Sequence, residues 1–353
     1  MNTPLSNSTH ENAPSPKLPT METEAAGLAR VHASMVRRLL ELAPNEGYNA
    51  TPMPDIRLLR SNRPLTRTPV LYEPGIVVIA QGRKRGYLGS KVYVYDAQHY
   101  LAVALPLPFS METDATADEP LLAVYVRLDP TLAADVLLQI DERNVVVPGE
   151  PGGMATTRLD PALGETMLRF LDAMRDPLEA ALLGPTLVRE IYFRVLIGEQ
   201  GASMRAALDL DGNFGRISKV LRKIHSSYAE ALTIETLAKE AAMSVPSFHM
   251  HFKAVTKTSP LQYIKSTRLH QARLLMARQG MTAAAASARV GYESASQFSR
   301  EFKRLFGGTP SEELRRMKRH FPVPEAGPDR RCTYRPTSLP IACFTLFAAE
   351  VRR

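Results

Sequence analysis

The residues with the most to offer chemically sit at matched positions of two similar segments. SVPSFHMHFKAVTKTSP occupies residues 244–260 and SASQFSREFKRLFGGTP occupies residues 294–310. Ser244 pairs with Ser294, Phe248 with Phe298, Phe252 with Phe302, Lys253 with Lys303 and Pro260 with Pro310. In each segment the two phenylalanines are four residues apart and share one helical face, which is the face to bury. The other faces carry His249, Met250 and Lys253 in the first copy, and Ser296, Ser299, Arg300 and Lys303 in the second. These are cations, hydrogen-bonding groups and one soft apolar side chain. They suit non-covalent recognition rather than bond breaking. No dinucleotide fingerprint, P-loop, nucleophile elbow or HExxH motif occurs anywhere in the chain.

The flanking residues say what positions these faces. Ser244 and Ser294 can cap a helix by accepting from first-turn N–H groups, and Gln297 completes a capping-box pattern with Ser294. Ser259-Pro260-Leu261-Gln262 and Thr309-Pro310-Ser311-Glu312 each begin a further helix with a capping box and proline at its first position. Upstream, TIETLAKEAA at 233–242 and TAAAASARV at 282–290 are short helical patterns, the second stopping at Gly291. Each copy is therefore short helix, turn, amphipathic helix: a helix-turn-helix, whose second helix can lie in a DNA major groove. Between the copies, residues 261–279 form a long helix free of Gly and Pro. At 1.5 Å per residue it spans roughly 28 Å, near the ~34 Å of one DNA turn.

Charge supports the same reading. The 353 residues carry a net charge of +8, but residues 213–320 hold 19 Lys and Arg against 7 Asp and Glu, and the remainder is acidic on balance. A basic excess coinciding with the repeat is the footprint of phosphate binding. Only Cys332 and Cys343 occur, which fits a reducing compartment and no disulfide framework. No secretory leader pattern opens the chain, and no apolar run reaches the ~20 residues of a membrane span. A cytoplasmic location without membrane association is the expectation.

The front of the chain follows another grammar. Residues 21–43 carry a helical stripe of Leu28, Val31, Met35, Leu39 and Leu42. Short β-rich runs follow at 70–73, 76–80, 84–88, 91–95, 99–105 and 121–128, a pattern of a sandwich or barrel. Residues 130–140 and 160–200 return to helix, with breaks near Asp176-Pro177 and Gly184-Pro185. Within the strand region His99 stands alone, with Glu73 as a distant acid, so a packed or exposed histidine is the reading rather than a metal ligand. His249 and His251 are two apart and face different sides of one helix, so no zinc site is expected there. Arg83-Lys84-Arg85 has the charge to clamp an anionic effector, but reads better as a solvated turn beside a strand.

On these residues the segment 214–319 resembles the DNA-binding domain of the AraC/XylS family of bacterial transcription regulators, with GYESASQFSREFKRLFGGTP close to the family signature. EPGIVVIAQGRKRGYLG at 73–89 and YDAQHYLAVALPLPF at 95–109 resemble the N-terminal domain of one AraC-type subgroup. The resemblance implies an α+β chain: a cupin-like β-barrel with helices, then an all-α double helix-turn-helix domain. Composition and the resemblance together divide the chain into a disordered tail at 1–20, an effector or dimerisation domain at 21–200 with its β region at about 55–130, a linker at 201–213, the DNA-binding domain at 214–319 with units at about 233–255 and 282–305, and a low-order tail at 320–353. Carried over by position, Pro246, His249 and Met250 face bases with Lys253 near phosphate. In the second unit Ser296, Gln297, Ser299 and Arg300 face bases with Lys303 near phosphate. Met250 stands where the family usually has arginine, which removes bidentate guanine reading and leaves apolar contact, for example with a thymine methyl. The alanines of 283–288 replace larger apolar residues, so weaker packing of the second unit is expected. The implied partners are double-stranded promoter DNA and RNA polymerase, with a small-molecule effector and a homodimer left open. No cofactor, metal or catalytic residue is expected. The alternative is a cupin-type metal-dependent enzyme carrying a helical partner-binding module.

Overall fold

The structure, a computed structural model, describes residues 21–143, 151–199, 201–209 and 212–320. The expected tail at 1–20, all of the 320–353 tail beyond His320, and both cysteines lie outside the described residues.

The chain opens with α1 (Met21–Leu42), whose Met35 and Leu39 are fully buried. Nine strands follow: β1 (Gly47–Ala50), β2 (Ile56–Ser61), β3 (Leu65–Tyr72), β4 (Gly75–Gln81), β5 (Arg83–Leu88), β6 (Lys91–Asp96), β7 (His99–Val103), β8 (Leu107–Asp114) and β9 (Leu121–Arg127). Helix α2 (Pro130–Asp141), strand β10 (Met154–Arg158) and helices α3 (Pro161–Ala173), α4 (Pro177–Leu182), α5 (Gly184–Ile197) and α6 (Gly201–Leu208) complete the front region. The back region is α7 (Asn213–Ser227), α8 (Ile234–Glu240), α9 (Val245–Thr256), α10 (Pro260–Gln279), α11 (Ala283–Arg289), α12 (Ala295–Phe306) and α13 (Pro310–His320).

The strands form one antiparallel sheet in the order β1-β2-β9-β4-β7-β6-β5-β8-β3, with β10 added on β7. β6 meets β7 only through Asp96 and His99, while it pairs with β5 along its whole length. The sheet curls at this corner into a half-barrel. The tight-turn pattern predicts a sandwich or barrel, and an open curled barrel is what forms. Gly82, at φ +83°, makes the β4–β5 connection; a Cβ there would come within 3.0 Å of the Leu121 backbone. Helix α3 packs between α1 and α5, and α1 also packs on β4 and β9. Tyr192 of α5 joins the layers: its hydroxyl donates to the Arg127 carbonyl at 2.7 Å and accepts from the Asp129 amide at 2.8 Å.

Three expectations change. Arg83-Lys84-Arg85 is not a turn but the start of β5, with Lys84 on the inner face and its neighbours outside. The pleat alternates sides every residue, so a run of three cations cannot all face water. Residues 201–213, expected to be a linker, contain α6, which packs against α5 and α7 and buries Ser203, Met204 and Ala207. Strands β1, β2, β8 and β10 fall outside the β-rich runs read from sequence.

Candidate nucleic-acid interface

Helices α9 and α12 are built from the same local parts. Ser244 caps α9 by accepting from the Ser247 amide, and Ser294 caps α12 by accepting from the Gln297 amide at 3.2 Å. Phe248 and Phe252 are fully buried in the first unit, as are Phe302 and, to 1%, Phe298 in the second. Both helices end in a left-handed residue, Lys257 in the first unit and Gly307 in the second. The helix before each ends in matching bonds: Met243 donates to the Ala238 carbonyl and Tyr292 to the Ser287 carbonyl, both at 3.0 Å. The turn of the second unit is one residue longer. Gly291 is needed there, because at φ +84° a Cβ would meet the Ala229 carbonyl oxygen at 2.4 Å.

With one face fixed to the core, the opposite face is open. Pro246, His249, Met250 and Lys253 are exposed on α9 or at its start, Met250 to 61%. Ser296, Gln297, Ser299, Arg300 and Lys303 are exposed on α12. Arg300 makes no hydrogen bond or ion pair with any described residue. Gln297 departs from the capping-box expectation. Its amide donates to Glu301 Oε1 at 3.2 Å rather than reaching back to the cap residue.

Glu301 is a positioning residue that the sequence pattern did not single out. It takes Lys265 of α10 at 2.7 Å and the Tyr292 hydroxyl at 2.7 Å. Burial pushes its carboxyl up, but the bonds from Lys265, Tyr292 and Gln297 outweigh burial, and the net direction is down. The ion pair therefore fixes α12 to α10. Arg268 does the same for the turn, donating to the carbonyls of Tyr228, Gly291 and Glu230 at 2.7, 2.9 and 2.8 Å. Long-range pairs of this kind leave no periodic trace. A lone glutamate on an otherwise basic helix was the available signal.

The first unit is also seated on the half-barrel. The Tyr263 hydroxyl of α10 donates to the Pro106 carbonyl at 2.5 Å, and His225 of α7 lies 2.8 Å from the same hydroxyl. Since the tyrosine proton is committed to Pro106, His225 Nε2–H is the donor to Tyr263. Burial holds the His225 imidazole down at about 4. His270 is also held well below the usual range, by burial first and then by Arg273 and His225. Both groups take up protons in the unfolded chain between pH 6.5 and their folded values. Their contribution is therefore complete above pH ~6.5 and is lost as pH falls. The melting temperature is expected to drop between pH 7 and 5, and a His225→Asn, His270→Asn double variant to lose most of that slope. A wild-type melting temperature that is flat over this range would contradict it.

Among the described residues no group of three His, Cys, Asp or Glu could hold a metal ion. His99 bonds Asp96 at 3.0 Å on a part-exposed hairpin. No described helix is long and apolar enough to cross a membrane.

Residues 52–203 match the AraC-type transcriptional regulator N-terminus, and residues 237–316 match a helix-turn-helix domain. The chain belongs to the AraC/XylS family. Among AraC/XylS relatives, the RCS-specific HTH-type transcriptional activator RclR of Escherichia coli (strain K12) is 34% identical over 107 residues, covering 30% of this chain and 38% of RclR. The chain thus spans about two fifths of the length of that relative. The HTH-type transcriptional activator RhaS of Escherichia coli O1:K1 / APEC is 21% identical over 234 residues, covering 64% of this chain and 81% of RhaS. Among solved structures, unsaturated fatty acid bound ToxT from Vibrio cholerae strain SCE256 aligns with a TM-score of 0.48 at 12% identity, over 73% of this chain and 94% of ToxT.

Proposed function

We propose that this chain is a transcription regulator that grips promoter DNA through two successive major-groove segments, one for each helix-turn-helix unit. The observation that carries this reading is the duplicated geometry. Two helices share the same serine cap and the same buried phenylalanine pair, and each leaves its opposite face open within a strongly basic region. Pro246, His249 and Met250 in the first unit, and Ser296, Gln297, Ser299 and Arg300 in the second, are assigned to base edges. Lys253 and Lys303 are assigned to phosphates. The half-barrel and its helices, residues 21–200, form the effector or dimerisation domain. An effector acts by binding one arrangement of the two regions better than another. Contact with RNA polymerase and a homodimer belong to the same proposal.

The phosphate role is tested by Lys303→Ala. A phosphate contact carries no sequence information and releases about one counterion. All duplexes are therefore expected to lose affinity alike, and the slope of log affinity against log salt to flatten by about one unit. Titrations of specific and scrambled duplexes at several salt concentrations give both quantities. A loss confined to one sequence would assign Lys303 to a base instead.

A further inference from the structure

The inner face of the half-barrel holds an amine with nothing to neutralise it. Lys84 is 1% exposed, and its Nζ reaches only the Tyr72 hydroxyl and Met111 Sδ, each at 3.5 Å. No carboxylate among the described residues pairs with it. Burial alone pushes the amine down to about 7. Tyr95, fully buried on the neighbouring strand β6, stands opposite Lys84 in the ladder, and its hydroxyl is within hydrogen-bonding reach of the Tyr72 phenol. The Tyr72 phenol is pushed up by burial and by the surrounding tyrosines, so it stays protonated at neutral pH. As packing, this lysine has no advantage. A methionine would fill a similar volume without the cost of burying an amine. A desolvated lysine beside proton donors is, by contrast, an activated nucleophile.

We propose that Lys84 is a carbonyl-binding site, whose ε-amine condenses with a small aldehyde to form an imine. The nitrogen lone pair adds to the carbonyl carbon and the C–O π bond opens to a carbinolamine. The Tyr72 phenol then protonates the departing oxygen and recovers a proton from nitrogen. The remaining C–O bond breaks, and one water leaves for each C=N bond formed. Nothing is oxidised or reduced. The ligand is limited to a few carbons, because Gly86, the next inward position of β5, already lies so close to Phe109 that an added Cβ would sit 3.2 Å from its ring.

The site has a path to the DNA-binding end. Tyr48 of β1 is near enough to Tyr72 and Tyr95 for ionisation of one phenol to disfavour that of another, and it also packs against Met317 of α13. An adduct that displaces the tyrosines would press on the last helix of the second helix-turn-helix unit. The inference deepens the reading of the front domain as an effector domain and rests on it only for this consequence.

The test is reductive trapping on the full chain. Protein is treated with propanal and cyanoborohydride at pH 7, without DNA, and the propyl marks are mapped by peptide mass spectrometry. An amine titrating near 7 holds about a thousandfold more neutral form at pH 7 than an ordinary lysine near 10.4. Part of that advantage is lost to slow entry, so labelling of Lys84 is expected to exceed that of exposed Lys91 and Lys253 by at least about tenfold. Tyr72→Phe is expected to slow labelling several-fold, and Lys84→Met to abolish that mark alone. Should Lys84→Met fail to fold, the wild-type pH profile decides: labelling of Lys84 rises through a midpoint near 7, while that of Lys91 keeps climbing. A Lys84 that stays unmarked, or is marked no faster than Lys91, overturns the proposal. If Lys84 is inert while the chain binds DNA, this inference alone fails. If Lys84 is marked while the chain binds no DNA, the DNA reading fails instead.

Discussion

Glu313→Ala is expected to destabilise the second helix-turn-helix unit by about 3–5 kcal/mol, the largest effect of any single substitution considered for this chain. Glu313 of α13 pairs with Arg273 of α10 at 3.1 Å, with side-chain exposures of 2% and 0%. Arg316 reaches the other carboxylate oxygen. The Arg273 guanidinium also lies 4.5 Å from the centre of the Phe306 ring and 3.5 Å from His270 Nδ1. Arginine stays ionised at any accessible pH, so removing the carboxylate leaves a full positive charge in the interior. The pair itself is not a large source of stability, because desolvating both ions offsets most of their attraction. Arg273→Met with Glu313→Leu is therefore expected to recover most of what Glu313→Ala loses. The chain has no tryptophan, so urea unfolding followed by far-UV circular dichroism is the suitable measurement. A Glu313→Ala protein within about 1 kcal/mol of wild type would show that water or another group reaches Arg273.

The elements that the sequence revealed and those it hid differ in how local their causes are. The caps at Ser244, Ser259, Ser294 and Thr309 were legible because a cap needs only residues within one turn; the Thr309–Glu312 box forms in both directions, at 2.7 and 3.3 Å. The phenylalanine pairs were legible because a buried helical face has a short period. The open faces of α9 and α12 followed by subtraction. The Glu301–Lys265 pair, Arg268 and the Arg273–Glu313 pair were hidden because the partners lie 36, 23 to 40 and 40 residues apart. Three consecutive cations at 83–85 suggest a solvated turn by charge alone, whereas strand alternation puts the middle one, Lys84, on the inner face. Arg83 and Arg85 do face outward, and Arg85 pairs with Glu112 and Asp114. The same alternation that places them outside puts Lys84 inside.

Arg300→Ala is expected to lower affinity for the preferred duplex by about 5- to 150-fold, corresponding to about 1–3 kcal/mol for one bidentate base contact. Arg300 projects from the exposed face of α12, two residues after the buried Phe298 and two before the buried Phe302. It has no described partner to give up on binding, so its fork is available as it stands. Scrambled duplex is expected to lose far less, since the phosphate field of the remaining basic residues persists. Arg300→Lys separates charge from shape: it keeps the cation but loses the planar pair of donors that matches a guanine edge. Its affinity for scrambled DNA is expected to stay near wild type while its preference falls toward that of the alanine variant. Measuring each variant on a duplex selected by the wild-type protein and on its scrambled counterpart, at one salt concentration, gives the ratio that matters. If Arg300→Ala leaves that ratio unchanged, α12 reads sequence through Ser296, Gln297 and Ser299 alone, and Arg300 joins Lys303 on the phosphates.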